Sequence, residues 1–185
     1  MLYILGGAAR SGKSMLSKKL VSEKQIPYIS TDRIISMLQR GIPDVGINHN
    51  QKIIPKSIKL WPFIKPFCKS LIKHEPHYLV EGDSLLPKFI TELIDTYKKG
   101  VKVCFVGYTS ISIENKLKEI RKFGGQKGDW TLELTDEKIL RGIKDMISYS
   151  KYLKSECNKY NIKYFDVSIN FPKKMDDIFN YLTSE

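Results

Sequence analysis

The chain has 185 residues, 42% of them hydrophobic, which fits one folded domain and argues against a disordered protein. Its 31 lysines and arginines against 20 aspartates and glutamates give a net charge of +11, which favours nucleotides, phosphorylated metabolites or nucleic acid as partners unless the lysines are merely solvated. The three cysteines are far apart and show no C-x-x-C spacing, which argues against a disulfide framework or a zinc site. No signal peptide is recognisable and no apolar run is long enough to span a membrane, so we predict a cytoplasmic protein.

The amino-terminal segment has the pattern of a strand, a glycine-rich loop and a helix. The apolar run over residues 2–5 predicts a buried strand, and apolar residues recur at helical spacing after Lys13. Between them, residues 7–14 match the phosphate-binding pattern G-x-x-x-x-G-K-[ST] in full. The residues predicted to contact a nucleotide are Gly7, Ala8, Ala9, Arg10, Ser11, Gly12, Lys13, Ser14 and Met15.

This loop has the chemistry needed to hold a triphosphate. Its glycines let the backbone approach the phosphates, successive amide N–H groups form an anion-binding nest, and the following helix adds the positive end of its dipole. Lys13 can reach the β- and γ-phosphates, and the Ser14 hydroxyl can ligate Mg²⁺. We therefore expect the chain to bind ATP with Mg²⁺, and the alternative, a plain connection between strand and helix, is disfavoured.

The rest of the chain alternates strands and helices. Further strands are predicted over 25–30, 77–83, 101–107 and 162–167, and further helices over 31–41, 55–74, 88–98, 113–123, 135–160 and 175–182. Pro62 and Pro66 are expected to kink or split the helix over 55–74. This alternation predicts one α/β domain over residues 1–185 with the P-loop NTPase fold, in which helices cover both faces of a five-stranded parallel sheet.

The chain resembles the adenylate-kinase-like group of small P-loop kinases, which includes shikimate, gluconate and nucleoside-monophosphate kinases, chloramphenicol phosphotransferases and zeta-type toxins. The resemblance rests on the phosphate loop at residue 7 and on five strand–helix units that span nearly the whole chain. The sequences GGAARSGKS over 6–14, ISTD over 29–32 and LVEG over 79–82 look closest to 2-phosphoglycerate-kinase-like proteins. Of these three segments, only the phosphate loop is highly specific.

The resemblance implies roles for two acidic residues. Asp32 matches the acid at the end of the second strand that contacts the acceptor hydroxyl and acts as its base. The alternative is that Asp32 only caps a helix, and both roles hold if Thr31 makes the cap. Glu81 matches the acid after the third strand that holds Mg²⁺ directly or through water, with Asp83 in reserve and a plain salt bridge as the alternative.

The resemblance also implies a basic lid after the fourth strand, here residues 110–135. Arg121 is the predicted catalytic lid residue, with Lys122 and Lys127 beside the possible glycine hinges at 124, 125 and 128. The second lid arginine of the group is missing, and Arg141 is its possible substitute. By analogy, the adenine pocket involves Arg121 and residues 168–170. Arg10 contacts phosphates or the acceptor, or pairs with Glu81 or Asp32.

The acceptor is expected to bind to the helical segment 33–75, as in the resembling kinases. The candidate contacts are His49, Lys56, Lys59, Trp61 and Lys65, although Trp61 is more readily explained as a core residue. Several lysines in this segment favour an anionic acceptor, such as a phosphorylated or carboxylated metabolite.

The sequence therefore predicts an ATP-dependent kinase that phosphorylates a hydroxyl of a small molecule. One alternative is a nucleoside or nucleoside-monophosphate kinase, which is disfavoured because segment 33–75 offers only Arg33 and Arg40 to grip a monophosphate. A zeta-type toxin would differ only in acceptor and partner. A non-catalytic, nucleotide-dependent binding protein is the remaining alternative, but no nucleic-acid recognition signature is evident.

Overall fold

The computed structural model describes residues 1–123, 131 and 133–184. A short 3₁₀ turn at Pro43–Val45 accompanies the regular elements. In chain order these elements are β1 (Leu2–Gly7), α1 (Lys13–Lys24), β2 (Tyr28–Ser30), α2 (Thr31–Gly41), α3 (Ile53–His74), β3 (Tyr78–Gly82), α4 (Pro87–Thr96), β4 (Val101–Gly107), α5 (Ile113–Phe123), α6 (Asp136–Lys159), β5 (Lys163–Asp166) and α7 (Phe171–Thr183).

The five strands form one parallel sheet in the order β2-β3-β1-β4-β5. From β1 to β2 the chain moves toward one edge of the sheet, and from β2 onward successive strands are placed toward the other edge. Because parallel crossovers are right-handed, α1 lies on one face of the sheet and α3, α4 and α6 lie on the other. The contacts agree with this, since α1 packs against α7, whereas α4 packs against both α3 and α6. The predicted α/β fold, with a five-stranded parallel sheet in a single domain, is confirmed.

The central strands explain why the sequence folds into this sheet. Every residue of β1 is buried, and so is β4 from Val103 onward. Strands covered by helices on both faces require such continuous apolar runs. The parallel direction also brings the carboxyl ends of β1, β2 and β3 to the same edge of the sheet, where the phosphate loop leaves β1.

The structure excludes one of the two outcomes predicted for α3, because the helix is continuous from Ile53 to His74 and is not split by its prolines, whereas a kink stays a prediction. Pro62 and Pro66 lie one turn apart and both are exposed. The carbonyls of Ile58 and Pro62, which lose their helical partners to these prolines, therefore lie on the side of the helix that water reaches. The buried side of α3 packs through Leu60, Ile64 and Cys68 and keeps the helix in place.

Element boundaries differ from prediction mainly at the starts. The strand predicted over 25–30 is limited to β2, and α7 begins four residues earlier than expected. The glycine-rich segment at 124–130, with the predicted hinges and Lys127, lies outside the described residues. The three cysteines are free and buried. Among the described helices, none has the length and apolar character needed to cross a membrane.

Candidate active site

The phosphate loop wraps from β1 into α1 through backbone conformations that require glycine. Gly7 has φ +150°, and a Cβ there would lie 2.1 Å from the Val106 carbonyl oxygen of β4. Gly12 has φ +95°, and its Cβ would lie 2.8 Å from the sulfur of Met175 in α7. Both positions combine a positive φ with close packing, so only glycine fits them. The two fixed glycines of the sequence pattern thus have a steric cause.

Lys13 and Ser11 hold the loop from inside. The Lys13 Nζ and the Ser11 hydroxyl each donate to the Ala8 carbonyl at 2.8 Å, and Lys13 is 8% exposed. Ser14 and Met15 are exposed in the first turn of α1, where the Met15 amide donates to the Gly12 carbonyl at 3.1 Å, whereas the Lys13 and Ser14 amides have no partner within the helix. The loop therefore presents an ammonium group, a hydroxyl and free amides at one helix N-terminus, a combination that binds anions.

Two residues that the sequence did not single out brace the loop from outside. The Tyr108 hydroxyl, just after β4, donates to the Ala9 carbonyl at 2.9 Å. The Lys116 Nζ of α5 donates to the Arg10 carbonyl at 3.0 Å. Nothing local in the sequence links residues 108 and 116 to residues 9 and 10, because the contacts form only when β4 pairs with β1.

Sheet register brings the predicted acidic residues to the edge where the loop begins. Glu81 in β3 pairs with Leu5 of β1 on one side and with Ser30 of β2 on the other. Asp32 lies in the first turn of α2, two residues after Ser30, and Asp83 directly follows β3. Glu81 is 4% exposed. The structure therefore gathers all three predicted carboxylates around one end of β3.

Burial and mutual repulsion shape the protonation of these carboxylates. Desolvation raises the pKa of Glu81, although the charge of Lys13 and the Ser30 hydroxyl oppose this effect. Asp32 is exposed as a residue, yet the protein around its carboxyl group desolvates it and raises its pKa, with Asp83 adding to the rise and Lys13 opposing it. Because Lys13 acts on both acids, its ammonium group lies in the same charge cluster.

Glu81→Gln should stabilise the fold at neutral pH. The folded-state pKa of Glu81 is raised, so its ionised form opposes folding above that pKa, and this cost disappears as the pH falls below the unfolded-state pKa. We expect a higher Tm for the variant at about pH 7 and a shrinking difference toward about pH 4. Thermal unfolding followed by circular dichroism measures this, with the exposed Glu23→Gln as control. A difference that grows on acidification would contradict the burial argument.

The oxygen donors at this edge suit Mg²⁺. Glu81 is a buried carboxylate that needs a cationic partner, and Ser14 offers a hydroxyl at the start of α1. Within the described part of the chain, no group of three or more His, Cys, Asp or Glu side chains could hold a metal. Mg²⁺ needs no such cage when it is bound by one or two protein oxygens and substrate phosphates. The residues present therefore fit a Mg²⁺ ion that is shared with a nucleotide.

The start of α2 corrects the predicted helix cap. Ser30, and neither Thr31 nor Asp32, is the N-cap, because its hydroxyl accepts from the Asp32 amide at 3.2 Å. Thr31 points inward and its buried hydroxyl has no hydrogen-bond partner among the described residues. Since Ser30 makes the cap, the Asp32 carboxyl group remains available for the site.

Three of the five predicted acceptor contacts, Trp61, Lys59 and Lys65, are in the core or already contact other groups. Trp61 lies in the core, stacked on Phe89 with ring centroids 5.4 Å apart. Lys65 pairs with Glu92 of α4, and Lys59 reaches the Gly46 carbonyl at 3.5 Å.

Lys56 and His49 lie near the acids instead. Lys56 is 4% exposed, and both its charge and that of His49 act on Asp32. The His49 ring also contacts the Ser36 hydroxyl of α2 at 2.9 Å. The structure therefore brings Lys56 and His49, of the five candidates, into the charge cluster of the site.

The arginines predicted to contact phosphates form hydrogen bonds or ion pairs with residues that follow α5. Arg10 has φ +60° and donates to the Thr131 hydroxyl at 2.8 Å. Arg121 donates to the Thr131 and Leu134 carbonyls and pairs with Asp136 at 2.6 Å. Arg141 pairs with Glu137 on the exposed side of α6. The lid role of Arg121 stays a prediction, and it requires the guanidinium group to leave these partners.

A cavity of about 380 Å³ follows β5, where the adenine pocket was expected. Its lining includes the three predicted residues Ser168, Ile169 and Asn170. Asp166 organises this turn by accepting from the Ser168 amide at 3.1 Å. The next residue along the chain, Phe171, lies against Gly12 of the phosphate loop, although neither residue lines the cavity. A second depression, of about 420 Å³, lies at the opposite edge of the sheet beside the start of β5.

Comparison with known proteins shows that the fold is shared with kinases. No protein-family model matches the chain, and no curated protein sequence matches it. A shikimate kinase from Bacteroides thetaiotaomicron aligns over 98% of this chain and 96% of its own, with a TM-score of 0.55 and 14% identity. A gluconokinase from Sinorhizobium meliloti 1021 aligns over 97% and 90%, with a TM-score of 0.56 and 15% identity.

A third solved structure is the YorR protein of Bacillus subtilis in complex with phosphorylated GDP, which aligns over 96% of this chain and 93% of its own, with a TM-score of 0.52 and 14% identity. The expected closer likeness to 2-phosphoglycerate kinases and zeta-type toxins stays a prediction. At these identities the comparison establishes the fold. The chain therefore has the fold of the P-loop small-molecule kinases.

Proposed function

We propose that the protein is an ATP- and Mg²⁺-dependent phosphotransferase that phosphorylates a hydroxyl group of a small anionic molecule. The observation that carries this proposal is the convergence of Lys13, Asp32 and Glu81 at the sheet edge from which a complete phosphate loop leaves β1. Phosphoryl transfer depends mainly on positioning and on neutralising charge. A phosphate-binding loop, a carboxylate for the acceptor and a carboxylate for the cation supply both.

Each residue of the site has a distinct role in this proposal. The loop amides and Lys13 hold the β- and γ-phosphates, and Ser14 and Glu81 hold Mg²⁺, which neutralises phosphate charge when it is bound. Asp32 accepts a hydrogen bond from the acceptor hydroxyl and receives its proton, a task that its raised pKa assists. Residues 33–75 bind the acceptor, and residues 110–135 with Arg121 form the lid.

We place the adenine ring in the cavity after β5. Ser168 and Asn170 line that cavity, and the next residue, Phe171, lies against Gly12 of the loop. Small polar groups around a concave surface are the usual means of orienting a ligand ring. The preferred nucleotide base can be determined by comparing the binding of ATP and GTP directly.

Lys56 supports an anionic acceptor. Its side chain is 4% exposed, and among the described residues its ammonium group has no hydrogen-bond or ion-pair partner, although Asp32 lies near enough for their charges to interact. The Lys56 Nζ is not one of the buried polar atoms that lack a partner, so this ammonium group reaches the solvent beside Asp32, where it can bind an acceptor phosphate or carboxylate. Lys59 and Lys65, by contrast, already contact other groups.

Lys56→Met should weaken acceptor binding specifically. We expect the KM for the acceptor to rise about 10- to 100-fold, the range for a lost charge-assisted hydrogen bond, while the KM for ATP stays near its original value. Steady-state kinetics with both substrates varied would measure this. Lys73→Met, an exposed change at the far end of α3, is the control. An equal rise in both KM values would place Lys56 on the nucleotide instead.

The overall proposal is tested by measuring ATP consumption with a panel of acceptors. The panel contains phosphorylated and carboxylated metabolites, their neutral analogues, nucleosides and nucleoside monophosphates. Stimulation confined to anionic hydroxyl compounds would support the proposal, whereas stimulation by nucleosides or their monophosphates would support the alternative kinase class. Nucleotide binding without turnover on any acceptor, combined with salt-sensitive binding to nucleic acid, would support a non-catalytic binding protein.

A further inference from the structure

Two consecutive peptide groups of the phosphate loop have their carbonyls held by side chains from outside the loop. The Ala9 carbonyl accepts from the Tyr108 hydroxyl at 2.9 Å, and the Arg10 carbonyl accepts from the Lys116 Nζ at 3.0 Å. In a trans peptide, the C=O of one residue and the N–H of the next point in opposite directions. Fixing these carbonyls therefore also fixes the directions of the Arg10 and Ser11 amides.

Tyr108 and Lys116 form one packed unit. The Lys116 Nζ lies 4.2 Å from the centroid of the Tyr108 ring, a cation–π contact, and 3.0 Å from the Glu119 carboxylate. Lys116 is 4% exposed, and burial lowers its pKa, although Glu119 opposes that shift. Tyr108 is fully buried, and burial raises its pKa, so its hydroxyl stays protonated as a donor at physiological pH.

The free-energy cost of burying the Lys116 ammonium group indicates that this residue has a functional role. A buried ammonium group destabilises the fold unless it is fully compensated, and a Lys116 that merely filled space could be replaced by an apolar residue. Its three partners are the Arg10 carbonyl, the Tyr108 ring and Glu119. Of these, only the carbonyl belongs to the proposed nucleotide site, and it lies in the segment whose amides must face a polyphosphate.

We infer that Tyr108 and Lys116 are positioning residues for the phosphate loop. By holding the carbonyls of Ala9 and Arg10 away from the site, they direct the Arg10 and Ser11 amides toward the phosphates before a nucleotide arrives. This inference rests on the proposed nucleotide binding at the loop. It assigns Lys116 to the backbone behind the phosphates and does not place it against the nucleotide base.

The inference is tested with Tyr108→Phe and Lys116→Met, titrated with Mg-ATP and with Mg-tripolyphosphate, which lacks a base and a sugar. We expect each variant to bind both ligands about five- to tenfold more weakly, the effect of one lost hydrogen bond, and by the same factor for the two ligands. The KM for ATP should rise with little change in kcat. Lys116→Arg, which keeps charged donors, should recover part of the affinity.

Matched controls separate positioning from general loss of stability. Tyr181→Phe removes a hydroxyl that donates to the Val103 carbonyl at 3.0 Å, away from the loop. Lys118→Met removes an exposed charge from α5 two residues from Lys116. Both controls should bind tripolyphosphate as the original protein does, even where Tyr181→Phe lowers the Tm.

Two outcomes overturn the inference. Unchanged tripolyphosphate affinity in Tyr108→Phe and Lys116→Met would show that neither residue orients the loop, and a loss for ATP alone would assign the residues to the base. Failure of the unchanged protein to bind either ligand would instead overturn the proposed function. The unchanged protein thus tests nucleotide binding, and the variants test the positioning role.

Discussion

Lys13→Met should abolish detectable phosphoryl transfer and weaken ATP binding by about 10- to 100-fold, the range for a lost charge-assisted hydrogen bond. In the free protein, Lys13 donates to the Ala8 carbonyl at 2.8 Å and interacts with the charges of Asp32 and Glu81. Its ammonium group is therefore already held at the loop. Methionine keeps much of the length of the side chain and removes only the charge and its hydrogen bonds.

The fold should survive this change. The Ala8 carbonyl keeps the Ser11 hydroxyl as a donor at 2.8 Å, so no buried carbonyl is left without a partner. ATP binding is measured by calorimetric titration and folding by thermal denaturation. Lys24→Met, at the exposed end of the same helix, is the matched control and should behave like the original protein. Retained turnover in a folded Lys13→Met protein would remove the loop from the mechanism.

The sequence predicts the sheet well because its signals are local. The strand β1 is buried along its whole length, so its apolar run is unambiguous, and the loop pattern that follows fixes the strand–loop–helix unit. The positions of Glu81 and Asp32 follow from the sequence for a related reason, since each comes at or just after the end of a strand, while their roles stay predictions. Parallel strands then bring these ends together without further information.

The details that the sequence missed depend on contacts between distant segments. Tyr108 reaches Ala9 only because β4 lies beside β1, and no local pattern marks this contact. The distinction between Lys56 and Lys59 is similar, because both lie on α3 and only packing shows which one is buried. The continuity of α3 across its prolines was also not evident from the sequence, because tolerance of an internal proline depends on which side of the helix faces solvent.

The two basic residues at 10 and 121 illustrate a further limit. Their side chains are long enough to serve several sites, and the structure places both on residues that follow α5, with Arg10 on the Thr131 hydroxyl and Arg121 on Asp136. Sequence spacing gives no preference between such partners. Carboxylates on short side chains at strand ends have far less freedom, which is why the acids were easier to place than the arginines.

Asp32→Asn should lower kcat by about 10²- to 10⁴-fold, the range for a lost general base, while ATP affinity stays the same or rises slightly. Asparagine keeps the size of the side chain but cannot take the acceptor proton. Burial and the nearby Asp83 already disfavour the ionised form of Asp32, as its raised pKa indicates. Removing one of three negative charges near the phosphate loop therefore lessens repulsion of the triphosphate, and the Tm at neutral pH should not fall.

Kinetics with saturating acceptor and direct ATP titration separate the effects of Asp32→Asn on transfer and on binding. Asp44→Asn, an exposed change in the 3₁₀ turn after α2, controls for loss of a surface carboxylate and should leave kcat unchanged. A kcat near the original value would remove Asp32 from the reaction. A parallel loss of ATP affinity would place its carboxylate on the cation and its phosphates, so that the acceptor hydroxyl would need another partner. The first candidate would then be Asp83, which lies in the same cluster of charges.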